Sequence, residues 1–193
     1  YPSPGTRLPE PVILPWIELI CGSMFSGKTE ELIRRIVRAQ IAKQKTAIFK
    51  PQLDNRYSNE DIVSHNNRKI KSVIVQNASE IPKLVGDSTV IGIDEAQFFD
   101  DEIIEVCREL SSNNKRVILA GLEKDYLGKP FGPMAKLMVE SEYVTKVLAI
   151  CVVCGNPANF SFRISSESSQ ILVGETDKYE ARCRQCFYEN GEN

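Results

Sequence analysis

Gly22-Ser23-Met24-Phe25-Ser26-Gly27-Lys28-Thr29 stands between the apolar run Ile17-Glu18-Leu19-Ile20-Cys21 and a stretch of helical period that begins near Thr29. The spacing is G-x-x-x-x-G-K-T, and the flanks decide its meaning. A strand, a glycine-rich turn and a helix start together make a loop whose backbone N–H groups curl around phosphate oxygens. The helix start adds a partial charge of about +0.5. In such a loop Lys28 reaches the β- and γ-phosphates and the Thr29 hydroxyl ligates Mg²⁺. A glycine turn with a chance lysine is the competing explanation, and both flanks count against it.

Outward from this loop the grammar is that of alternating strands and helices. Leu32, Ile33, Ile36, Val37 and Ile41 recur at helical spacing, predicting a helix over residues 29–43 with Glu30 and Glu31 in its first turn and Lys43 in its last. Strands are expected at 46–49, 72–75, 89–93, 116–120 and 146–150, and helices at 78–85, 101–110 and 133–141. Alternation of this kind predicts a parallel sheet with right-handed crossovers. Residues 52–67 are largely polar and include Arg56 and the single histidine, His65, so a long loop is expected there. His65 reads as a loop residue. Residues 1–15 carry five prolines and no amphipathic period, and an irregular tail is expected.

The 193 residues suffice for one sizeable α/β core with a small appendage. Lys and Arg number 24 against 26 Asp and Glu, a net charge of −2, which gives no electrostatic footprint for nucleic acid or an anionic membrane. No apolar run approaches the roughly 20 residues a membrane helix needs. The beginning of the chain lacks the charged and apolar regions of a signal peptide, and a cytoplasmic setting is expected.

Two kinds of residue then carry chemistry. Asp94-Glu95 ends the apolar run Thr89–Ile93, at the strand end where open α/β sheets hold ligands. Beside a phosphate loop, Asp94 reads as a second Mg²⁺ anchor and Glu95 as a group able to take a proton from an acceptor hydroxyl; capping of the following turn is the plainer alternative. Phe98 and Phe99 are either core or a wall for stacking a base. Cys151-x-x-Cys154 and Cys183-x-x-Cys186 are separated by 28 residues. Two such knuckles suit a tetrahedral four-thiolate Zn²⁺ site, structural because no coordination position is open, and the long spacer calls for an inserted loop. Two disulfides or four free thiols are the alternatives. Cys21 and Cys107 fall on a predicted strand and helix and read as small buried apolar residues.

With these motifs in place, the chain resembles the small, zinc-containing thymidine kinase family of many bacteria, some large DNA viruses and animal cytosol. The likeness spans residues 17–188 and rests on Gly22 to Thr29, Asp54-Asn55-Arg56-Tyr57, Ile91 to Phe99, Lys129-Pro130-Phe131-Gly132, both cysteine pairs and Asp177-Lys178-Tyr179. It implies a RecA-like P-loop domain with a parallel sheet over residues 16–150, after the tail of residues 1–15. A zinc-binding lasso module is implied over 151–193. The activity implied is transfer of the ATP γ-phosphate to the 5′-hydroxyl of thymidine.

The resemblance makes Glu95 the catalytic base, with Lys28 and Arg56 at the transferring phosphate. It places Gly22, Ser23, Met24, Phe25, Ser26, Gly27 and Gln97 on the nucleotide, and Thr29 and Asp94 on Mg²⁺. Met24, Phe98, Leu122, Phe131 and Tyr179 would surround the nucleoside. Phe160-Ser161-Phe162 and Ile171-Leu172-Val173-Gly174-Glu175 would close over thymine through their main chain. Cys151, Cys154, Cys183 and Cys186 would hold structural Zn²⁺. Thymidine triphosphate as feedback inhibitor and a homotetramer are further implications, with no nucleic acid or membrane partner. The chain departs from the family at Leu122-Glu123-Lys124-Asp125-Tyr126, where Asp-x-x-Phe is common, so that a tyrosine stands at the pocket edge. Two other readings stay open: Asp94-Glu95-Ala96-Gln97 resembles the box of a helicase-like ATPase, although one core is too few for such a motor, and a nucleotide switch or zinc-ribbon interaction module is the non-enzymatic one.

Overall fold

The computed structural model describes residues 15–53, 61–63, 69–164 and 178–189. The chain begins with strand β1 (Ile17–Gly22), buried at every position, and passes through the glycine-rich loop into helix α1 (Lys28–Ile41). Strand β2 (Thr46–Pro51), a hairpin of β3 (Asp61–Val63) and β4 (Lys69–Lys71), and β5 (Val73–Val75) follow. Helix α2 (Ile81–Leu84), strand β6 (Val90–Ile93), helix α3 (Glu102–Ser112), strand β7 (Arg116–Leu122), helix α4 (Met134–Glu140) and strand β8 (Tyr143–Lys146) complete the first part.

Six of these strands form one parallel sheet in the order β5-β2-β6-β7-β1-β8. Its two faces are covered by different helices, which is why its central strands read as nearly continuous apolar runs. Ile17, Leu19 and Cys21 of β1 and Val117 and Leu119 of β7 face the cluster made with Ile81, Ile103, Leu110 and Leu137 of α2 to α4. Ile20, Ile118 and Ala120 face the other way, onto Leu32, Ile33 and Ile36 of α1. At Gly92 an added Cβ would lie 3.1 Å from Ile36 Cδ1, so the glycine lets α1 settle closely on the sheet.

Four boundaries differ from those the sequence predicts. Helix α1 stops at Ile41 because Lys43 turns into the left-handed region at φ 58°, where its N–H reaches Gln40 O and that of Gln44 reaches Ala39 O. The predicted helix over 78–85 is a 3₁₀ turn at Ala78–Glu80 running into α2, opened by Glu80 Oε1 accepting from the Asn77 N–H at 3.1 Å, with Pro82 in the first turn where no N–H is needed. The predicted loop over 52–67 contains β3, a strand of three residues and too short for a period to reveal. The predicted strand over 146–150 is split: the sheet's last strand is β8, while β9 (Ala149–Ile150) pairs elsewhere. An edge strand is not covered on both sides, and Tyr143 is accordingly 57% exposed, so β8 lacks the apolar run that reveals β1.

Beyond β9 the chain builds a smaller unit. β9 pairs antiparallel with β10 (Pro157–Ala158), β11 (Phe160–Arg163) pairs antiparallel with β12 (Tyr179–Arg182), and α5 (Arg184–Glu189) closes it. Its centre is small residues and sulfur: Ala149, Cys151, Ala158, Ala181, Cys183 and Cys186. Among the described residues, no helix is long and apolar enough to cross a membrane.

At the end of the sheet opposite the glycine-rich loop, Glu18 is only 5% exposed and takes hydrogen bonds from Arg35 at 2.6 Å, Arg116 at 2.5 Å and the Trp16 indole. Burial raises its carboxyl pKa, but the hydrogen bonds from Arg116, Trp16 and Arg35 outweigh it and hold the group below the ordinary carboxylate range. The stabilisation is therefore present above that range and is lost as pH falls through the depressed folded value. Replacing Glu18 with alanine leaves the largely buried Arg116 guanidinium without its carboxylate and Arg35 with Glu31 as its remaining one, at 2.8 Å, and is expected to cost about 3 kcal/mol. Urea unfolding would show it as a lower midpoint at unchanged slope.

Candidate active site

The carboxyl ends of β6, β7 and β1 lie side by side, and the loops leaving them converge. After β1 the chain turns so tightly that a Cβ on Gly22 would sit 2.2 Å from Val147 O and 2.7 Å from Ser26 Oγ. Gly27, at φ 83°, caps α1 in a conformation that suits glycine, and Ser26 Oγ closes the turn by donating to Ser23 O at 2.7 Å. Lys28 Nζ folds back onto the same Ser23 carbonyl at 2.8 Å. Burial lowers its pKa, and the nearby charges of Glu95 and Asp94 oppose that. The loop thus sets a tight turn of main-chain amides at a helix start, with an ammonium group folded onto its Ser23 carbonyl, an arrangement suited to phosphate.

Asp94 and Glu95 leave β6 in different directions. Asp94 is buried: its N–H donates to Phe49 O at 2.9 Å, Oδ2 accepts from the Thr29 hydroxyl at 3.4 Å, and Oδ1 accepts from the Glu95 N–H at 3.0 Å. Burial and then the neighbouring Glu95 carboxylate push its pKa up to about 7. A carboxylate so unwilling to ionise, with a hydroxyl beside it, fits a divalent cation. Glu95 has φ 54°, an uncommon conformation for a residue with a side chain. The 3₁₀ turn Ala96–Phe98 follows directly. Gln97 Nε2 donates to Glu95 Oε2 at 2.5 Å, while Gln97 Oε1 accepts from the Leu122 N–H at 2.9 Å. Leu122 is the last residue of β7, so this amide spans two strand ends.

The two phenylalanines after the acids part company. Phe99 enters the core below the sheet, and Phe98 stays half-buried with its ring edge-on to Phe131 at 5.4 Å. On the other side of the loop, Met24 N–H donates to Ser161 Oγ at 3.0 Å and Ser23 Oγ donates to Ala158 O at 3.3 Å. The cysteine-containing unit is therefore bonded directly to the phosphate-loop segment. Of the nearby residues on β11, Ser161 faces that segment. Phe160 is buried against Phe187 at 4.5 Å, and Phe162 lies under the Arg182 guanidinium at 3.4 Å. Tyr179 takes hydrogen bonds from Arg163 at 2.6 and 3.2 Å, and Arg163 stacks over Tyr126 at 3.7 Å, which gives the tyrosine that replaces the common phenylalanine a packing partner. Arg56 and residues 171–175 lie outside the described residues.

Glu123 is a residue that no motif in the sequence marks. It is buried just beyond β7, where Oε1 accepts from Lys146 at 2.7 Å, Lys124 at 3.0 Å and Asn159 at 3.4 Å. Burial raises its pKa, but those ammonium groups prevail and it is held low. The available signal was an acid directly after a covered strand, the same placement as Asp94, but without a glycine-rich loop alongside to give it meaning.

The sulfur atoms of Cys151, Cys154, Cys183 and Cys186 all lie within 4.8 Å of one another, and Cys154 and Cys183 are 3.6 Å apart. Tetrahedral zinc with bonds of about 2.3 Å needs sulfurs about 3.8 Å apart, so the set fits the ion. Gly155, at φ 76°, turns the first knuckle, with Gly155 N–H donating to Cys151 O at 2.9 Å and Cys151 N–H donating to Asn156 O at 2.8 Å. Burial resists ionisation of Cys151, yet backbone groups of Cys183, Cys154 and Val153 bring it down to about 6. Hydrogen bonds with the thiols of Cys154 and Cys183 push Cys186 up. Four thiols gathered at this spacing are a donor set that releases its protons to a cation.

A family model described as thymidine kinase matches residues 15–187. Similar proteins include thymidine kinase of Rhodothermus sp., 54% identical over 172 residues, covering 89% of this chain and 81% of that one. Thymidine kinase of Bacteroides thetaiotaomicron is 54% identical and that of Bacteroides fragilis 52% identical, each over 171 residues, 89% of this chain and 86% of theirs.

Proposed function

The chain belongs to the thymidine kinase family, and from that premise we propose that it transfers the γ-phosphoryl group of ATP to the 5′-hydroxyl of thymidine, yielding thymidine monophosphate and ADP. The observation that carries this reading is the convergence of three parts at one end of the sheet: the amide turn of residues 22–29, the Asp94–Glu95 pair, and Ser161 of the cysteine-containing unit bonded to Met24. Residues 16–150 form the nucleotide domain and 151–193 the zinc-stapled lasso.

The loop from Gly22 to Thr29, including Ser23, Phe25 and Ser26, holds the triphosphate through its main chain, and Lys28 leaves Ser23 O to lie along the β- and γ-phosphates. Thr29 and Asp94 would hold Mg²⁺, whose charge, when bound, neutralises the phosphate oxygens. Glu95 accepts the proton of the 5′-hydroxyl as that oxygen bonds to the γ-phosphorus and the bond to the β-phosphate oxygen breaks. Arg56 neutralises the transferring group. Met24, Phe98, Leu122, Phe131 and Tyr179 enclose the nucleoside, with residues 160–162 and 171–175 reading the base through their main chain. Cys151, Cys154, Cys183 and Cys186 hold zinc, which closes the lasso and takes no part in the chemistry. The reading extends to a cytoplasmic homotetramer inhibited by thymidine triphosphate.

Incubation with Mg-ATP and a panel of nucleosides, with products identified by mass, tests the proposal. Thymidine monophosphate as the main product is expected. Polynucleotide-stimulated ATP hydrolysis with no nucleoside product would overturn it.

A further inference from the structure

We infer that Gln97 is a positioning residue that fixes the Glu95 carboxylate against the nucleoside wall. The inference rests on the reading of Glu95 as the base. Gln97 is 2% exposed, and both ends of its amide are engaged in the site: Nε2 with Glu95 Oε2 and Oε1 with the Leu122 N–H. An amide is the side chain that can donate to a carboxylate and accept from a backbone N–H at once. Its space is kept open from two sides. A Cβ on Gly121 would meet Gln97 Oε1 at 2.8 Å, and one on Gly132 would meet Gln97 O at 2.2 Å. Gly132 also sits at φ 49°, beside Phe131.

The consequence is a rigid link from the proton acceptor on one strand end to the pocket wall on another. With the Gln97 donor on Glu95 Oε2, the carboxylate is held in one orientation and keeps acceptor capacity, on Oε1 above all, for the 5′-hydroxyl. Glu95 carries its carboxylate on a left-handed backbone and several rotatable bonds; without this tether its placement relative to Leu122 is not fixed. Misplacement by about 1 Å is enough to lower turnover roughly 100-fold.

Two substitutions separate positioning of the base from mere anchoring of Leu122. Gln97→Met keeps the length and removes both bonds. Gln97→Glu keeps the acceptor for the Leu122 N–H and replaces the donor to Glu95 with a second carboxylate. Both variants are expected to lose kcat by roughly 10- to 100-fold with KM for ATP within about twofold of the parent. In a Glu95→Gln background either one should add less than about a twofold loss, because the two residues act as a unit. Parental kcat in Gln97→Glu, or a full independent loss added to Glu95→Gln, overturns the inference. Gln97→Glu, the closer isostere, carries the test should Gln97→Met fail to fold. High turnover in Glu95→Gln alone would instead remove Glu95 as the base, a distinct failure.

Discussion

Glu95→Gln is expected to lower thymidine phosphorylation by about 10²- to 10⁴-fold while leaving ATP affinity within about twofold. The substitution keeps the size of the side chain and a carbonyl oxygen for Gln97 to bond, and removes the ability to take a proton. Nucleotide affinity should persist because the elements proposed to hold ATP, the amide turn of residues 22–29 and the Thr29–Asp94 pair, bond to one another and not to the Glu95 side chain. Steady-state turnover at saturating thymidine and calorimetric titration with nucleotide, run on the same preparation, check both halves. Loss of nucleotide binding in parallel with turnover would place Glu95 in the phosphate site.

Metal removal is the second large effect. The four sulfurs are surrounded by alanines, with Phe160 and Phe187 packed together as the cysteine-containing unit's larger apolar contact, so the proposed metal cross-link is expected to supply much of its stability. Zinc contributes on the order of 10–16 kcal/mol to isolated finger peptides, more than such a unit could make up by packing. Cys154 is exposed, which gives a chelator a way in. Treatment with chelator, or Cys183→Ser, is expected to release one zinc per chain, open residues 151–189 to proteolysis and reduce thymidine phosphorylation at least about 100-fold, since the segment proposed to read the base loses its frame. The sheet, whose two faces are packed independently of that unit, should keep its circular dichroism. Full activity in protein shown to be metal-free would remove zinc from the reading.

The parts legible in the sequence were those in which one physical cause dominates. A strand covered on both faces has no choice but to be apolar, so β1 and β7 announced themselves, and the glycines of residues 22–29 mark backbone geometry that other residues resist. The cysteine pairs were legible because sulfur spacing has few uses. The edge strand β8 was misplaced because exposure on one side relieves it of any pattern. Which of Phe98 and Phe99 would enter the core depended on the left-handed turn at Glu95, which no local propensity favours. Glu123 carried no motif, and Gln97 was expected on the nucleotide, for a different reason: each side chain joins chain segments distant in sequence, and such meetings exist only after folding.

The two hydrogen bonds from Ser23 and Met24 to Ala158 and Ser161 have a further consequence. On the proposed reading, a rearrangement of the glycine-rich turn on triphosphate binding would be felt through these bonds at the start of β11, beside the second substrate, and the reverse would hold equally. Occupancy on one side must then alter affinity on the other by an identical factor, a reciprocity set by thermodynamic linkage. An enzyme coupled in this way holds each substrate with an affinity that registers the presence of the other.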